Sequence, residues 1–278
     1  MIPFTKAHAC GNDFLIVAES NIARLDLSAL ADQLCDRNTG IGADGIEYFE
    51  WLNDDPRRGP LSARIRLYNA DGSLAEISGN GTRCVAAWMA EALGSKPGDT
   101  LEIATDAGLR VCRINAVHKD GPFSVDVSTD MGVPTVAPHT VRLARGEDLT
   151  GIEVSMGNPH FVIAVDNPEF AVAGRAWQAI GSEICFHQDF PHQTNVEFVR
   201  IVDERVVEIR IFERGVGPTN SSGTGTSAAA SATLALKGCV SPLTVVSPGG
   251  PQTVEWQGPN TELLLTGPAT LIARGEAW

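Results

Sequence analysis

The sequence predicts an α+β protein of two similar lobes, in which each lobe curls a mixed sheet around one buried helix. Three observations predict this fold: an internal repeat, many short β-type segments, and two helices without a polar face. The repeat is the most specific of them, because Ser78-Gly79-Asn80-Gly81-Thr82 returns 144 residues later as Ser222-Gly223-Thr224-Gly225-Thr226. This spacing is about half of the 278-residue chain and indicates a duplication.

The neighbours of the repeated segment are themselves repeated at nearly the same offset. Gly11-Asn12 is echoed 146 residues later by Gly157-Asn158. Asn69, nine residues before Ser78, is echoed by Glu213, nine residues before Ser222. A chain of this length is comfortable for two domains. We therefore expect an N-terminal lobe over 1–128 and a C-terminal lobe over 129–267.

Most of the predicted secondary structure is β. The candidate strands are short, rich in β-branched residues and bounded by Gly, Pro, Asn or Asp. They cover 14–18, 63–68, 101–105, 110–114, 123–127, 152–155, 161–165, 196–202, 206–212, 243–246, 253–256 and 263–266.

Two predicted helices follow directly from the repeated segments. One runs from Gly81 to Gly94 and the other from Gly225 to Gly238, and both are rich in small residues and apolar around most of their circumference. A helix without a polar face must be buried, and a slim one fits inside a curled sheet. Two amphipathic helices are expected around 28–35 and 175–183.

Composition limits the partners and cofactors. The net charge of −13 argues against nucleic acid or an anionic membrane surface, which select for basic patches. No apolar run approaches the roughly 20 residues that span a bilayer, and the first residues lack a signal pattern, so we expect a cytoplasmic protein. The cysteines form no Cys-x-x-Cys pair, no acidic or histidine cluster has metal spacing, and no lysine lies in a Schiff-base motif. We therefore expect neither a metal nor a cofactor.

Each Gly-rich segment lies at a strand-to-helix turn and offers one small hydroxyl. Free N–H groups and the helix dipole favour negative charge there, so two such turns could hold a carboxylate and exchange protons with one carbon from opposite faces. The alternative is that Ser78 and Ser222 are only helix N-caps. Neither segment fits a phosphate-binding motif.

Several ordered segments closely resemble the signature segments of the diaminopimelate epimerase family. They are His8-Ala9-Cys10-Gly11-Asn12-Asp13-Phe14, Asn69-Ala70-Asp71-Gly72-Ser73, Gly79-Asn80-Gly81-Thr82-Arg83-Cys84, Gly157-Asn158-Pro159-His160 and Glu213-Arg214-Gly215. The resemblance runs from Lys6 to about Pro268. It implies barrel-like lobes around central helices, a cleft between them as active site, and a last strand, over 268–278, that returns to the first lobe.

The resemblance also implies the chemistry, a cofactor-free, two-base inversion of the α-carbon of an amino acid. It most closely fits the interconversion of LL- and meso-diaminopimelate, in lysine and peptidoglycan precursor synthesis. Ser78 and Ser222 would stand at the two base positions, and His160 and Glu213 would tune them. The substrate would be held by the remaining matched residues, namely Asn12, Asn69, Gly79, Asn80, Asn158, Asn195, Glu213, Arg214, Gly223 and Thr224.

The chain departs from the family at the two base positions, where the family has cysteine and this sequence has Ser78 and Ser222. A thiol is poised as thiolate far more easily than a hydroxyl, which needs an adjacent base. Two smaller departures are Gly45, where the family often has Gln or Leu, and Ala273, where some dimeric members have an aromatic residue.

Three interpretations follow from these departures. The chain is a diaminopimelate epimerase or close relative with serine at both positions, an isomerase of the same fold for another amino acid or unsaturated acid, or a non-catalytic ligand-binding homologue. A homodimer is left open as a partner.

Overall fold

The computed structural model describes residues 1–22, 24–75 and 77–278, and the chain divides into two compact units. Unit 1 contains Met1–Asp130 and Thr266–Trp278, and unit 2 contains Met131–Leu265. The expected α+β class is confirmed: seventeen strands and four α-helices are described. None of the described helices is long and apolar enough to cross a membrane.

The first unit holds eight strands of its own and two helices, joined by part of the last strand. The elements are β1 (Ile2–Ala9), β2 (Asn12–Ala18), α1 (Leu27–Cys35), β3 (Gly45–Asn53), β4 (Ser62–Asn69), β5 (Leu74–Ala75), α2 (Gly79–Leu93), β6 (Thr100–Thr105), β7 (Gly108–His118), β8 (Ser124–Asp130) and β17 (Leu263–Ala277). Two short 3-10 helices lie at Glu19–Asn21 and Pro56–Arg58.

Strand pairing closes unit 1 into a barrel. The sheet runs β1, β2, β3, β4, β6, β7, β8, and β17 completes the ring by pairing with both β8 and β1. The β2–β3 and β4–β6 pairs are parallel. The β1–β2, β1–β17, β3–β4, β4–β5, β6–β7 and β7–β8 pairs are antiparallel. A closed barrel of this size leaves an interior that side chains or one helix can fill.

Helix α2 fills the interior of the unit 1 barrel. It begins at the N-cap Ser78 and ends at Gly94, whose left-handed conformation closes the helix. Its small side chains are buried on nearly every face and pack against apolar residues of the strands in one core cluster. A helix that is apolar all round has no stable position except inside the protein, which is why the sequence pattern predicted burial.

The second unit repeats this plan. Its elements are β9 (Thr135–Arg142), β10 (Asp148–Ser155), β11 (Pro159–Val165), α3 (Trp177–Cys185), β12 (Asn195–Asp203), β13 (Val206–Glu213), β14 (Gly217–Thr219), α4 (Gly223–Leu236), β15 (Leu243–Ser247) and β16 (Gly250–Trp256), with the first residues of β17. The sheet runs β9, β10, β11, β12, β13, β15, β16, with β14 as a hairpin partner of β13. The alanines of α4 pack within its main core cluster.

One parallel strand pair has the same register in both units. In unit 1, Phe14 of β2 pairs with Gly45 of β3. In unit 2, His160 of β11 pairs with Asn195 of β12. Because both pairs lie beside the central helix of their own unit, residues at matching register positions of the two units occupy equivalent places.

Five strands escape the sequence prediction, namely β1, β3, β5, β9 and β14. β3 is buried on both faces at Gly45–Phe49, so it lacks the alternation that marks a half-buried strand. β9 lies in the stretch that was expected to be an irregular connection, because Pro138 interrupts its pattern. The four predicted helices are present, each within a few residues of the expected bounds.

Candidate functional site

The half-site of unit 1 is built on the N-terminus of α2. Ser78 has an extended backbone and its Oγ accepts a hydrogen bond from the N–H of Gly81 at 3.1 Å, so it caps the helix. The Ser78 carbonyl accepts from the N–H of Thr82 at 2.8 Å. The hydroxyl is half-buried and stays available as a proton donor, because the cap uses Oγ as an acceptor.

Asn80 links this helix end to the turn between β1 and β2. The buried Asn80 amide donates to Oδ1 of Asn12 at 3.1 Å and its own Oδ1 accepts from Arg83 at 2.5 Å. Asn12 in turn donates to Asp44 at 2.6 Å. Two predicted substrate-binding residues, Asn12 and Asn80, are therefore brought together and oriented by one chain of hydrogen bonds.

A charged cluster holds the base of that turn. Asp13 is paired with Lys6 at 2.9 Å and with Arg37 at 2.7 Å, and Arg37 also pairs with Asp44 at 2.8 Å. Burial favours the neutral acid at Asp13, but hydrogen bonds from Arg37 and Lys6 outweigh it and lower the pKa of its carboxyl. The carboxylate is thus charged at neutral pH and fixes the backbone next to Asn12.

Asn69 remains apart from this group. Its side chain donates to Oγ of Ser73 at 3.0 Å and its backbone N–H donates to the Ser73 carbonyl at 2.9 Å, so its described hydrogen bonds stay within its own turn. Its role as a substrate-binding residue stays a prediction.

A carboxyl group that the sequence motifs did not single out lies under the first turn of α2. Glu47 of β3 is fully buried, and neither of its oxygens has a hydrogen-bond partner among the described residues. Burial alone raises the pKa of this carboxyl to about 8. A β-carbon placed on Gly81 would collide with Glu47 Oε1 and would lie 3.2 Å from Cβ of Ser78. Glu47 and Ser78 therefore flank the same point of the helix.

The half-site of unit 2 has the same construction on α4. Ser222 is buried, has an extended backbone, and its Oγ accepts from the N–H of Gly225 at 3.2 Å. The hydroxyl of Thr224 lies 3.4 Å from the same oxygen. A β-carbon on Gly225 would lie 2.8 Å from Oε1 of Glu197 and 3.4 Å from Oγ of Ser222. A buried carboxyl again adjoins the capped helix end.

His160 lies between Glu197 and Asn158, and both His160 and Glu197 are fully buried. Its Nδ1 is 2.8 Å from Glu197 Oε1 and its Nε2 is 3.0 Å from Asn158 Oδ1. An amide oxygen can only accept, so Nε2 carries a hydrogen and the proton on the other side is shared between Nδ1 and the carboxyl. Burial raises the pKa of Glu197, and His160 opposes that rise. The imidazole and the carboxyl group are therefore linked by a hydrogen bond in the interior of unit 2.

Asn195 connects β11, β12 and the loop after β13. Its amide donates to the Pro159 carbonyl at 3.0 Å, and its Oδ1 accepts from the backbone N–H of Arg214 at 2.9 Å. The exposed Arg214 side chain donates to the carbonyl of His192 at 3.1 Å. Glu213, the last residue of β13, pairs with Gly217 of β14 and so holds the hairpin beside Arg214.

Glu47 and Glu197 were missed because no motif contains them. The available signal was weak: a glutamate is the third residue of each of two strands, at Gly45-Ile46-Glu47 and Asn195-Val196-Glu197, 150 residues apart. Their burial, which makes them candidate functional groups, is visible only in the folded structure. All six cysteines are buried, as cysteines outside disulfides and metal sites usually are. No group of three or more potential metal ligands occurs within the described ranges.

Comparison with known proteins agrees with these features. The family model described as diaminopimelate epimerase matches residues 4–137 and 152–272. A diaminopimelate epimerase of Corynebacterium glutamicum is 39% identical over 283 residues, covering 99% of this chain and 98% of the relative. One of Pseudomonas syringae pv. tomato is 35% identical over 289 residues, covering 99% of both chains.

Solved structures show the same fold at low sequence identity. A Bacillus anthracis phenazine biosynthesis protein of the PhzF family has a TM-score of 0.71 at 16% identity, covering 100% of this chain and 99% of the other. A hydroxyproline epimerase of Agrobacterium vitis has a TM-score of 0.68 at 18% identity, covering 99% and 90%. The family match and the identities over nearly the whole length establish that this chain belongs to the diaminopimelate epimerase family.

Proposed function

We propose that the chain is a cofactor-independent amino-acid epimerase that interconverts LL- and meso-diaminopimelate. The observation that carries the proposal is the repeated half-site: each unit presents a serine hydroxyl at the N-terminus of a buried helix, with a buried carboxyl group beside it. The substrate assignment is supported by relatives at 35% and 39% identity that are named diaminopimelate epimerase.

In this proposal Ser78 and Ser222 exchange protons with the α-carbon of the substrate. One hydroxyl oxygen accepts the α-proton and the other delivers a proton, so the configuration at that carbon inverts. The intermediate carries negative charge that spreads into the substrate carboxylate. The N-termini of α2 and α4 favour such a charge through their free N–H groups and dipoles, at Gly79-Asn80 and Gly223-Thr224.

The remaining predicted residues bind and tune. Arg214 has the planar guanidinium that holds a carboxylate with two hydrogen bonds, and its exposed position leaves it accessible to a ligand. His160 and Glu213 tune the proton exchange in unit 2. The substrate's polar groups are bound by amides, which are Asn12, Asn69, Asn158 and Asn195. Such an enzyme would serve lysine synthesis in the cytoplasm.

Deuterium exchange tests the proposal. The protein is incubated in deuterated water with LL-diaminopimelate, and incorporation at the α-carbon is followed by mass spectrometry while the meso isomer is separated by chiral chromatography. We expect deuterium in the product isomer at a rate proportional to enzyme concentration. Proline, hydroxyproline and glutamate serve as controls for substrate class.

A second candidate is an isomerase of the same fold with a different substrate. The observation that favours it is the pair of serines at Ser78 and Ser222, where the family resemblance implies cysteine. Exchange with another amino acid and none with diaminopimelate would select this candidate. Binding of diaminopimelate without exchange of any α-proton would instead identify a non-catalytic homologue.

A further inference from the structure

A fully buried carboxyl group without a hydrogen-bond partner is an uncommon feature, and Glu47 is one. Both of its oxygens are shielded from solvent and neither accepts or donates a hydrogen bond among the described residues. Most buried polar groups in proteins are paired, because leaving one unpaired costs on the order of 1–3 kcal/mol. Glu47 lies beside Gly81 and Ser78 at the N-terminus of α2, so this unpaired carboxyl group adjoins the proposed reaction site.

The second unit shows what such a carboxyl is paired with when a partner is present. Glu197 lies beside Gly225 and Ser222 as Glu47 lies beside Gly81 and Ser78. Glu197 is hydrogen-bonded to His160, whose register position opposite Asn195 is matched in unit 1 by Phe14 opposite Gly45. Unit 1 thus has the carboxyl but an apolar ring in place of the imidazole.

We propose that Glu47 is the proton store of the unit 1 half-site, which means that its carboxyl group takes up and returns the proton that Ser78 exchanges. Glu47 does not touch the substrate and acts only through Ser78, as a positioning residue. This inference rests on the proposed epimerase function. In unit 2 the carboxyl group at the matching place, that of Glu197, is instead hydrogen-bonded to His160.

The proposed step is balanced within the chain. Glu47 makes no hydrogen bond in the described arrangement, so the step requires that substrate binding bring one of its oxygens within hydrogen-bond reach of Ser78 Oγ, as catalytic contacts often tighten only in the substrate complex. The ionised Glu47 then takes the O–H proton of Ser78 while Ser78 Oγ takes the α-proton of the substrate, and the electron pair of the broken C–H bond stays on the substrate. The negative charge thereby moves from Glu47 to the substrate. In the reverse direction the Glu47 proton returns to Ser78 Oγ as Ser78 delivers its own proton to the carbon.

The surroundings of Glu47 suit a store that changes its protonation near neutral pH. Its strand neighbours are Ile16 on β2 and Leu67 on β4, which are apolar. On α2 the titratable group that senses its charge is the thiol of Cys84, which Arg83, Cys10 and Asp13 also influence. Burial raises the pKa of the Cys84 thiol, so it stays neutral when Glu47 titrates. Glu47, whose pKa is raised to about 8, is the group that changes.

The test compares Glu47→Gln with the matched control Glu50→Gln. Glutamine keeps the shape of Glu47 but cannot take up or release a proton in this role, whereas Glu50 lies on the same strand and is exposed. Both variants and the wild type are assayed for α-deuterium incorporation into LL-diaminopimelate across pH 6–10, roughly two units on either side of the raised pKa. Binding of LL-diaminopimelate is measured by calorimetry, and folding is checked by circular dichroism.

We expect Glu47→Gln to lower the exchange rate by about 100-fold or more, the usual size of a general acid–base contribution, with unchanged binding. It should also remove an ionisation near pH 8 from the wild-type rate profile. Glu50→Gln should retain both the rate and the profile.

Two results would count against the proposals, and they are distinguishable. A Glu47→Gln variant with the wild-type rate or the wild-type pH profile overturns the role of Glu47 and leaves the epimerase function intact. A wild type that exchanges no α-proton overturns the proposed function itself. Infrared spectroscopy gives a readout independent of activity. We expect the wild type to show the band of a protonated carboxyl group at neutral pH, and Glu47→Gln to lack it. A wild type without this band would overturn the role of Glu47 as proton store.

Discussion

The carboxyl group of Glu47 occupies the space beside Gly81 that a β-carbon on that residue would need. Gly225 stands in the same relationship to Glu197, where the β-carbon would lie 2.8 Å from Oε1. The second glycine of each repeated segment is therefore explained by packing, because each helix must pass closely over a buried carboxyl group. Neither glycine needs a positive φ angle, so backbone conformation is not the reason for it.

Replacing Gly81 by alanine should destabilise the protein by about 1–3 kcal/mol, the usual cost of overpacking a core. The expected cause is displacement of Glu47, whose carboxyl cannot move to solvent. Chemical denaturation measures the change. Gly121→Ala is the control, since a β-carbon there meets nothing within 4 Å.

The same collision can be tested by a double variant. In a Glu47→Ala background the obstacle is gone, and alanine is a better helix former than glycine by about 1 kcal/mol. Gly81→Ala should then be neutral or stabilising. An equal loss of stability in both backgrounds would show that Glu47 is not the cause.

The stability difference between wild type and Glu47→Gln should depend on pH. The ordinary pKa of 4.5 is raised to about 8 in the folded protein, so between these values the native chain keeps a proton that the unfolded chain has lost. Wild-type stability therefore falls as pH rises through this window, by at most about 5 kcal/mol, and the variant lacks this contribution. Parallel pH profiles of the free energy of unfolding would contradict the burial of an ionisable group at this position.

His160→Phe should convert the unit 2 arrangement into that of unit 1. The change removes the partner of Glu197, and breaking a buried pair in this way costs about 3–5 kcal/mol when the remaining group is charged. Without the histidine the pKa of Glu197 rises further, so the loss should be smaller at pH 5 than at pH 8. His118→Phe, at an exposed pair with Asp126, is the control and should change stability little.

Replacing both Ser78 and Ser222 by cysteine should raise the rate of α-proton exchange on diaminopimelate by about 100-fold or more. A thiol has a pKa near 8.5 and becomes a thiolate at a helix N-terminus, whereas a hydroxyl does not. The measurement is deuterium incorporation with each single variant as comparison. An unchanged rate in the double variant would favour a substrate other than diaminopimelate.

Arg214→Lys should weaken diaminopimelate binding by roughly tenfold, because lysine cannot supply the two parallel hydrogen bonds of a guanidinium. The fold should survive, since the side chain is exposed and its backbone N–H keeps its bond to Asn195. Calorimetric titration measures the dissociation constant. Arg142→Lys, at an exposed pair with Asp148, should bind as the wild type does, and the same result for Arg214→Lys would remove it from the substrate site.

The sequence was sufficient for the parts of the fold that follow local rules. The segments of α2 and α4 lack a polar face, and Ser78 and Ser222 indicate their N-termini because serine is a common N-cap. Strand β3 could not be recognised in the same way, because a strand buried on both faces does not alternate. Its identification needs its parallel partner β2, from which it is separated in sequence by α1 and the loops around that helix.

The residues of the candidate site divide in the same way, into those that lie in recognisable motifs and those that do not. The serines and glycines were found because their motif occurs twice, and Asn12 with Asn80 because they lie in recognisable segments. Glu47 and Glu197 carry no motif, and a glutamate in sequence gives no sign that it will be enclosed. Only the packing of each sheet against its helix makes their carboxyl groups inaccessible to water.

The route of β17 has a consequence for the order in which the molecule can be made. This strand begins in unit 2 and then pairs with both β1 and β8 in unit 1, where it closes the barrel. While the ribosome is still translating residues 131–265, the N-terminal barrel has a gap with two exposed strand edges, a state prone to mispairing. The second unit can therefore mature first, although it is encoded later.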